Sequence, residues 1–174
     1  MSIAADKKTI ENTLLVYRKK LDEIPDDLFN TTSPNGGWSY AEVYSHIMQA
    51  TVASFIAVEK CSNGTGKTHT KNLNWLGRLV LFSGFFPGMK FKAPASIAGM
   101  AVNISKEEAR NLIIKVKKRL DEVVPDIAGA PRFCKMKHPR FGMLNAKQWL
   151  RFTGIHLEHH IRQLKRIDKY FRKR

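Results

Sequence analysis

The chain has 174 residues, of which 43% are hydrophobic, and it carries 30 Lys and Arg against 15 Asp and Glu. These values predict a single domain over residues 1–174 with a hydrophobic core, and they exclude a disordered or low-complexity chain. No apolar run approaches the roughly 20 residues that cross a bilayer, and none follows the first lysines. We therefore expect no transmembrane segment and no signal peptide, and we predict a cytoplasmic protein whose isolated Cys61 and Cys134 stay reduced.

The net charge of +15 is unevenly distributed. Residues 132–174 contain thirteen Lys or Arg and two acids, Glu158 and Asp168. Such a balance attracts polyanions, whether nucleic acid, acidic lipid or a small anionic ligand. A solvated basic face explains the same charge, and it is the interpretation we favour because no nucleic-acid-binding motif accompanies the cations.

The first predicted element is an amphipathic helix that ends before Pro25. Its apolar residues recur at spacings of four and three, at Ile10, Leu14, Tyr17, Leu21 and Ile24. A loop follows, and a second helix begins at a capping box of Ser39 and Glu42 and runs to about Glu59. Trp38 occupies the position of a hydrophobic staple before that box.

The second helix is followed by a long connection. We predict a polar loop over residues 61–72 and a short extra helix over residues 72–85. The apolar residues of this helix are Trp75, Leu79 and Phe82. Residues 85–99 are irregular because of their prolines and glycines. The aromatic residues and lysines there could touch a membrane surface, although a loop packed on the bundle is the simpler interpretation.

Two further long helices complete the pattern. A capping box of Ser105 and Glu108 opens the third, which ends before Pro125. The segment up to Gly142 is turn-like. The last helix follows the capping pair Asn145–Gln148 and extends over residues 146–171. The fold class is therefore all-α, a four-helix bundle with the short extra helix between helices 2 and 3, and we expect no β-strand.

The stretch GIHLEHHIRQL, residues 154–164, places three histidines on the last helix. His156, His160 and Gln163 follow at spacings of four and three, so they share one face, and His159 lies to one side. Two histidines at i and i+4 can chelate one metal ion. Histidines that hydrogen-bond within a core produce the same pattern, and they are the commoner case.

The second helix adds His46, the one strong donor on its inward face. Facing helices of a bundle can build metal sites from inward side chains. Three histidines with an open fourth position are typical of a catalytic metal rather than a structural one. The pattern indicates only that His46, His156 and His160 could converge, because spacing does not show whether the two helices are neighbours.

Two segments resemble the DinB-like superfamily, which includes the YfiT-like metal-dependent hydrolases and thiol transferases. GWSYAEVYSHIMQA, residues 37–50, is similar to the signature that opens the second helix of that family. HPRFGMLNAKQWLRFTGIHLEHHIRQLKRI, residues 138–167, is similar to its terminal block. The two motifs cover about a quarter of the chain and occur in the expected order.

The resemblance implies an up-down-down-up bundle with a divalent metal held by His46, His156 and His160. Imidazole ligands suit zinc, nickel, iron or copper. The implied reaction is thiol S-transfer or hydrolysis, with the metal activating a thiol or water towards a small-molecule electrophile. Some relatives use low-molecular-weight thiols or isomerise maleylpyruvate, and many have no established activity. Relatives are often dimers, so a homodimer is a further expectation.

Other polar residues have ordinary explanations beside functional ones. Gln163 could orient a ligand or hydrogen-bond within the bundle, and His159 is expected beside the site rather than as a fourth ligand. Glu42 is explained by its capping role. His138 could reach the pocket or shape the turn, and we favour the turn. His69 is expected to be exposed.

Two alternatives to an enzyme stay open. The first is a non-enzymatic basic bundle that binds nucleic acid, acidic lipid or an acidic protein. Nucleic acid is the least favoured of these partners, because no groove-reading helix and no aromatic platform is evident. The second is a scaffold with a degenerate site, which the presence of all three candidate ligands makes less favoured.

Overall fold

The computed structural model describes residues 2–32, 36–68, 71–86 and 99–171. Its long helices are α1 (Ile3–Glu23), α3 (Tyr40–Ser62), α5 (Lys106–Val123) and α6 (Ala146–Phe171). The shorter elements are α2 (Asp26–Phe29), α4 (Trp75–Ser83) and a 3₁₀ turn (Pro125–Ile127). The predicted bundle of long helices, with α4 in the connection between the second and third, is therefore confirmed.

Side-chain contacts along the helices establish their directions. Asp6 binds Arg151 and Lys20 binds Asp168, so α1 and α6 run parallel, with early residues meeting early and late meeting late. The hydroxyl of Tyr40, at the start of α3, donates to the same Asp168 near the end of α6 at 2.8 Å. The helix α3 therefore runs antiparallel to α6 and to α1.

The third long helix, α5, runs parallel to α3. Ser39 before α3 bonds to Asn103 before α5, and Glu59 near the end of α3 pairs with Arg119 near the end of α5. The directions are thus up, down, down and up, which confirms the topology that the family resemblance implied. The helix α1 packs against α5 and α6, and α3 also packs against α5 and α6. The packing of α3 against α6 brings their inward faces together.

The helix starts follow the local sequence closely. All three predicted capping pairs form reciprocal hydrogen bonds between the side chains and backbone amides of Ser39 and Glu42, of Ser105 and Glu108, and of Asn145 and Gln148. Each pair satisfies backbone N–H groups that have no partner inside the helix. The last helix consequently begins at Ala146, as predicted.

Two tyrosines join the helices in the middle of the core. The hydroxyl of Tyr17 donates to the carbonyl of Leu157 at 2.9 Å, and that of Tyr44 donates to the carbonyl of Tyr17 at 2.8 Å. Their rings meet edge to face, with centroids 5.5 Å apart. Both rings are fully buried without leaving a hydroxyl unsatisfied, so α1, α3 and α6 are held in register.

A small sheet corrects the expectation that no strand is present. It consists of β1 (Lys67–Thr68), β2 (Cys134–His138) and β3 (Gly142–Leu144), antiparallel in the order β1-β2-β3. The strands fall in the predicted polar loop and in the predicted turn-like segment. Runs of two to five residues are too short to show a clear alternation of apolar and polar positions, which is why the sequence did not reveal them.

Other differences are local. The four-residue helix α2 lies where a loop was predicted, and it is too short to show helical periodicity. The helix α4 is shorter than the predicted helix over residues 72–85, because Asn74 caps its start and Gly84 ends it in a left-handed conformation. Most of the predicted irregular segment, residues 87–98, lies outside the described residues, as does His69. No helix among the described residues is long and apolar enough to cross a membrane.

Gly142 lies where the sheet packs directly on the backbone of the segment before α4. Its φ is +86°, and a Cβ there would lie 2.7 Å from the carbonyl oxygen of Asn72 and 3.1 Å from the amide nitrogen of Asn74. We expect Gly142→Ala to lower the free energy of unfolding in urea by about 2–4 kcal/mol. Gly129→Ala is the control, because nothing lies within 4 Å of its Cβ position. It should change stability by less than about 1 kcal/mol, and equal effects at the two positions would contradict the packing described.

Candidate metal centre

Three histidines meet where α3 packs against α6. His46 comes from the second turn of α3, and His156 and His160 come from adjacent turns of α6. One ring nitrogen from each lies within 4.8 Å of the others. His46 and His160 are buried, and His156 is partly exposed. The convergence that the sequence left open is present in the structure, so these residues form a cluster that could hold a metal ion.

The spacing of the two nitrogens on α6 suits a metal ion. The Nε2 atoms of His156 and His160 are 3.1 Å apart. Two imidazole nitrogens at ordinary bond lengths from one zinc-like ion lie about 2.9–3.4 Å apart, depending on the angle between the bonds. Among the described residues the cluster contains imidazoles only, without Cys or carboxylate. This donor set fits a borderline divalent ion such as zinc, nickel or iron rather than magnesium or calcium.

Gln163 determines which nitrogen of His160 faces the cluster. Its side-chain oxygen lies 2.7 Å from the Nδ1 atom of His160. An amide oxygen only accepts hydrogen bonds, so Nδ1 carries the proton and Nε2 keeps its lone pair. That lone pair belongs to the atom that faces His156. A ligand histidine held through its other nitrogen is the usual arrangement in metal sites.

Burial keeps the histidines of α6 neutral. Desolvation lowers the pKa of His156 well below its ordinary value, and the neighbouring His160 and His46 add to this effect. Desolvation likewise lowers the pKa of His160, again with a contribution from His46. Only the neutral imidazole can donate a lone pair to a metal, so His156 and His160 are in the binding form at neutral pH.

Aromatic rings enclose the cluster. Trp38 lies 4.8 Å from His46 and is stacked on His160 at 6.2 Å, measured between ring centroids. Phe152 stacks on His156 at 5.2 Å, and Phe86 lies 5.9 Å from the same ring. Trp38 was predicted as a staple residue and its contact with the histidines was missed. Phe152 could have been found, because it lies one turn before His156, whereas Phe86 comes from the connection and carries no such signal.

His159 and His138, the other histidines among the described residues, lie outside the converging set. The ring of His159 packs on Phe86, with centroids 4.7 Å apart, and burial with the nearby Arg166 and Arg162 lowers its pKa to about 4. His138 accepts hydrogen bonds at Nδ1 from the amides of Arg140 and Phe141, so it shapes that turn.

Glu42 has the capping role that the sequence predicted for it. Its carboxylate accepts a hydrogen bond from the backbone amide of Ser39 at 2.8 Å. The carboxyl group one turn before His46 is therefore engaged at the start of the helix.

Comparison with known proteins identifies the family and the fold. The family model described as the DinB superfamily matches residues 10–164. The crystal structure of TT2238, a four-helix bundle protein, is similar with a TM-score of 0.62 and 20% sequence identity. The match covers 94% of this chain and 98% of that one, and at this identity it shows the fold alone. No curated protein matches the sequence.

The buried His138 should make stability depend on pH. Burial, with a contribution from Arg140, lowers its folded-state pKa to about 4, whereas an unfolded histidine titrates near 6.5. The neutral ring therefore stabilises the fold above about pH 6.5, and this contribution is lost as the pH falls towards 4. In urea unfolding with chelator present, the free energy of unfolding should fall between about pH 7.5 and 5. This fall should be about 2 kcal/mol smaller in His138→Asn than in the wild type. The asparagine oxygen can still accept the two amides, and an unchanged pH dependence would contradict the assignment.

Proposed function

The chain belongs to the DinB superfamily, and on that basis we propose that it is a metal-dependent enzyme whose divalent ion is bound by His46, His156 and His160. The proposed reaction is the transfer of a low-molecular-weight thiol to a small electrophile, or hydrolysis of one. The observation that carries the proposal is the meeting of three imidazole nitrogens within 4.8 Å in a buried setting. Zinc, nickel and iron all suit this donor set.

A divalent ion held by His46, His156 and His160 would lower the pKa of a thiol or water bound to it towards neutrality. The role of the protein is to position the ligands and to limit water. Gln163 holds the tautomer of His160, and Trp38 covers two of the three rings. The apolar rings of Phe86 and Phe152 lie on the side of His156.

On this proposal the nucleophile comes from outside the chain. Both cysteines are buried, and the thiol of Cys61 lies 3.7 Å from the carbonyl oxygen of Leu144. Burial, with the neighbouring Cys134, raises the pKa of Cys61 to about 12, so it stays protonated. Neither cysteine belongs to the histidine cluster found among the described residues. A small thiol or water is therefore the nucleophile that this site supports, and the net positive charge would attract an anionic thiol.

Metal content tests the proposal directly. Purified protein should contain about one divalent ion per chain by elemental analysis. His46→Ala and His160→Ala should each lower the affinity for zinc in a calorimetric titration by at least about 100-fold, because a directly bound nitrogen is lost. His159→Ala is the matched control on the same helix and should bind like the wild type. Full metal binding by both ligand variants would refute the assignment.

Activity is measured on the same variants. A panel of small thiols is offered with a chlorinated dinitrobenzene, and an activated ester reports hydrolysis. Turnover that is lost on chelation and in His160→Ala, but kept in His159→Ala, is the expected result. Stoichiometric metal without turnover on any pair would leave the metal centre standing and contradict the enzymatic part of the proposal.

Gln163 should act through His160. Gln163→Ala removes the acceptor at Nδ1, so both tautomers of the ring become accessible and the zinc affinity should fall by about 10- to 100-fold. Gln163→Glu keeps an acceptor oxygen and should restore the affinity. Nitrogen NMR of the metal-free protein reports the tautomer of His160 independently of metal. A tautomer and an affinity that are both unchanged in the alanine variant would contradict this role.

A further inference from the structure

The helix α4 presents an apolar face to solvent. Its outward residues follow at spacings of four and three, and the exposed fractions are 71% for Trp75, 44% for Leu79 and 89% for Phe82. Phe85, just after the helix, is 50% exposed. Large apolar side chains exposed together on one helix face are typical of a surface that binds a protein, a membrane or another ligand.

The packing of α4 holds this face outward. A Cβ at Gly77 would lie 2.8 Å from the Cβ of Phe141 and 2.9 Å from its carbonyl oxygen, so the opposite side of the helix touches that turn directly. The amide of Asn74 donates to the carbonyl of Phe141 at 2.9 Å, and the side chain of Asn74 accepts from the amide of Gly77. With its inner side in such close contact, α4 cannot rotate to bury Trp75 and Phe82.

Two segments of the sequence, one of which contains α4, carry most of the net positive charge. Residues 60–105 and 127–157 together contain twelve Lys or Arg and no Asp or Glu, whereas the rest of the chain contains eighteen and fifteen. Described residues of the two segments meet in space, because β1 pairs with β2 and Leu73 pairs with Gly142. The exposed cations in the described parts of these segments include Lys67, Lys71, Arg78, Lys137 and Lys147.

We propose that α4 and the exposed cations of these two segments dock the protein on an anionic lipid surface. Trp and Phe side chains insert well at the level of the lipid headgroups, and Lys and Arg around them attract anionic lipids. Docking in this way uses the apolar face and the charge together, and it does not depend on the histidine cluster or on bound metal.

Other occupants fit the surface less well. Nucleic acid would use the cations but offers no apolar phase for Leu79 and Phe82. A second copy of this chain would bury the apolar face but would bring two basic surfaces together, which costs electrostatic energy. An anionic bilayer satisfies both features of the surface.

Vesicle flotation of the full chain tests the proposal. At about 0.1 M salt the protein should float with phosphatidylcholine vesicles that contain about 30% phosphatidylserine, and it should not float with phosphatidylcholine alone. The double variant Trp75→Ser/Phe82→Ser should reduce the partition coefficient by at least about tenfold. Leu15→Ser/Ile114→Ser is the matched control, because these residues are 67% and 57% exposed on α1 and α5. It should partition like the wild type.

Charge is tested by a second pair of variants. Lys71→Gln/Arg78→Gln should lower partitioning by about tenfold, whereas Lys115→Gln/Lys118→Gln on α5 should have a smaller effect. The emission of the exposed Trp75 should also shift to the blue on vesicle binding, and this shift should be absent in Trp75→Phe.

Four results would overturn the proposal. These are binding that survives Trp75→Ser/Phe82→Ser, equal binding to neutral vesicles, and competition by an oligonucleotide that removes all vesicle binding. The fourth is a lipid-free dimer, detected by light scattering, that the same double variant dissociates, because it would show that a second copy covers the face.

Discussion

The antiparallel contact between α3 and α6 is the constraint on which the candidate centre depends. At one end Tyr40 of α3 donates to Asp168 of α6, and at the other Cys61 of α3 lies against the carbonyl of Leu144 just before α6. With both ends tied, the two helices cannot slide past each other. His46 is therefore held opposite the histidine pair of α6, and a shift of one helical turn, about 5.4 Å, would separate their nitrogens.

The same contact creates the chemical state of the histidines. Closing α3 on α6 removes water from His156 and His160, and repulsion from the neighbouring histidines adds to the cost of protonating either ring. Gln163 then selects the tautomer of His160 that presents a lone pair to the cluster. Desolvation, repulsion and one amide oxygen together prepare neutral donors, without a carboxylate in the cluster that the described residues form.

The two proposed sites use different parts of the connection after α3. Phe86 lies against His156 on one side of the candidate metal centre, while Trp75 and Phe82, earlier in the same connection, face solvent. Gly77 allows this division, because its lack of a side chain lets α4 lie directly on the turn at Phe141. The connection thus carries one aromatic side chain that contacts the histidine cluster and others that face solvent.

The sequence by itself determined features that depend on neighbours within one helix. The capping pairs, the helix that begins at Ala146, and the shared face of His156 and His160 follow from spacings of three and four residues. Spacing alone did not show that His46 faces this pair; the family resemblance implied it, and the tertiary structure shows it. The tertiary structure alone established that Trp38 covers the pair and that strands of two to five residues form a sheet. These contacts join residues about 100 positions apart, or residues in elements too short to show a period. Their geometry arises from packing between elements, which no local pattern of the sequence encodes.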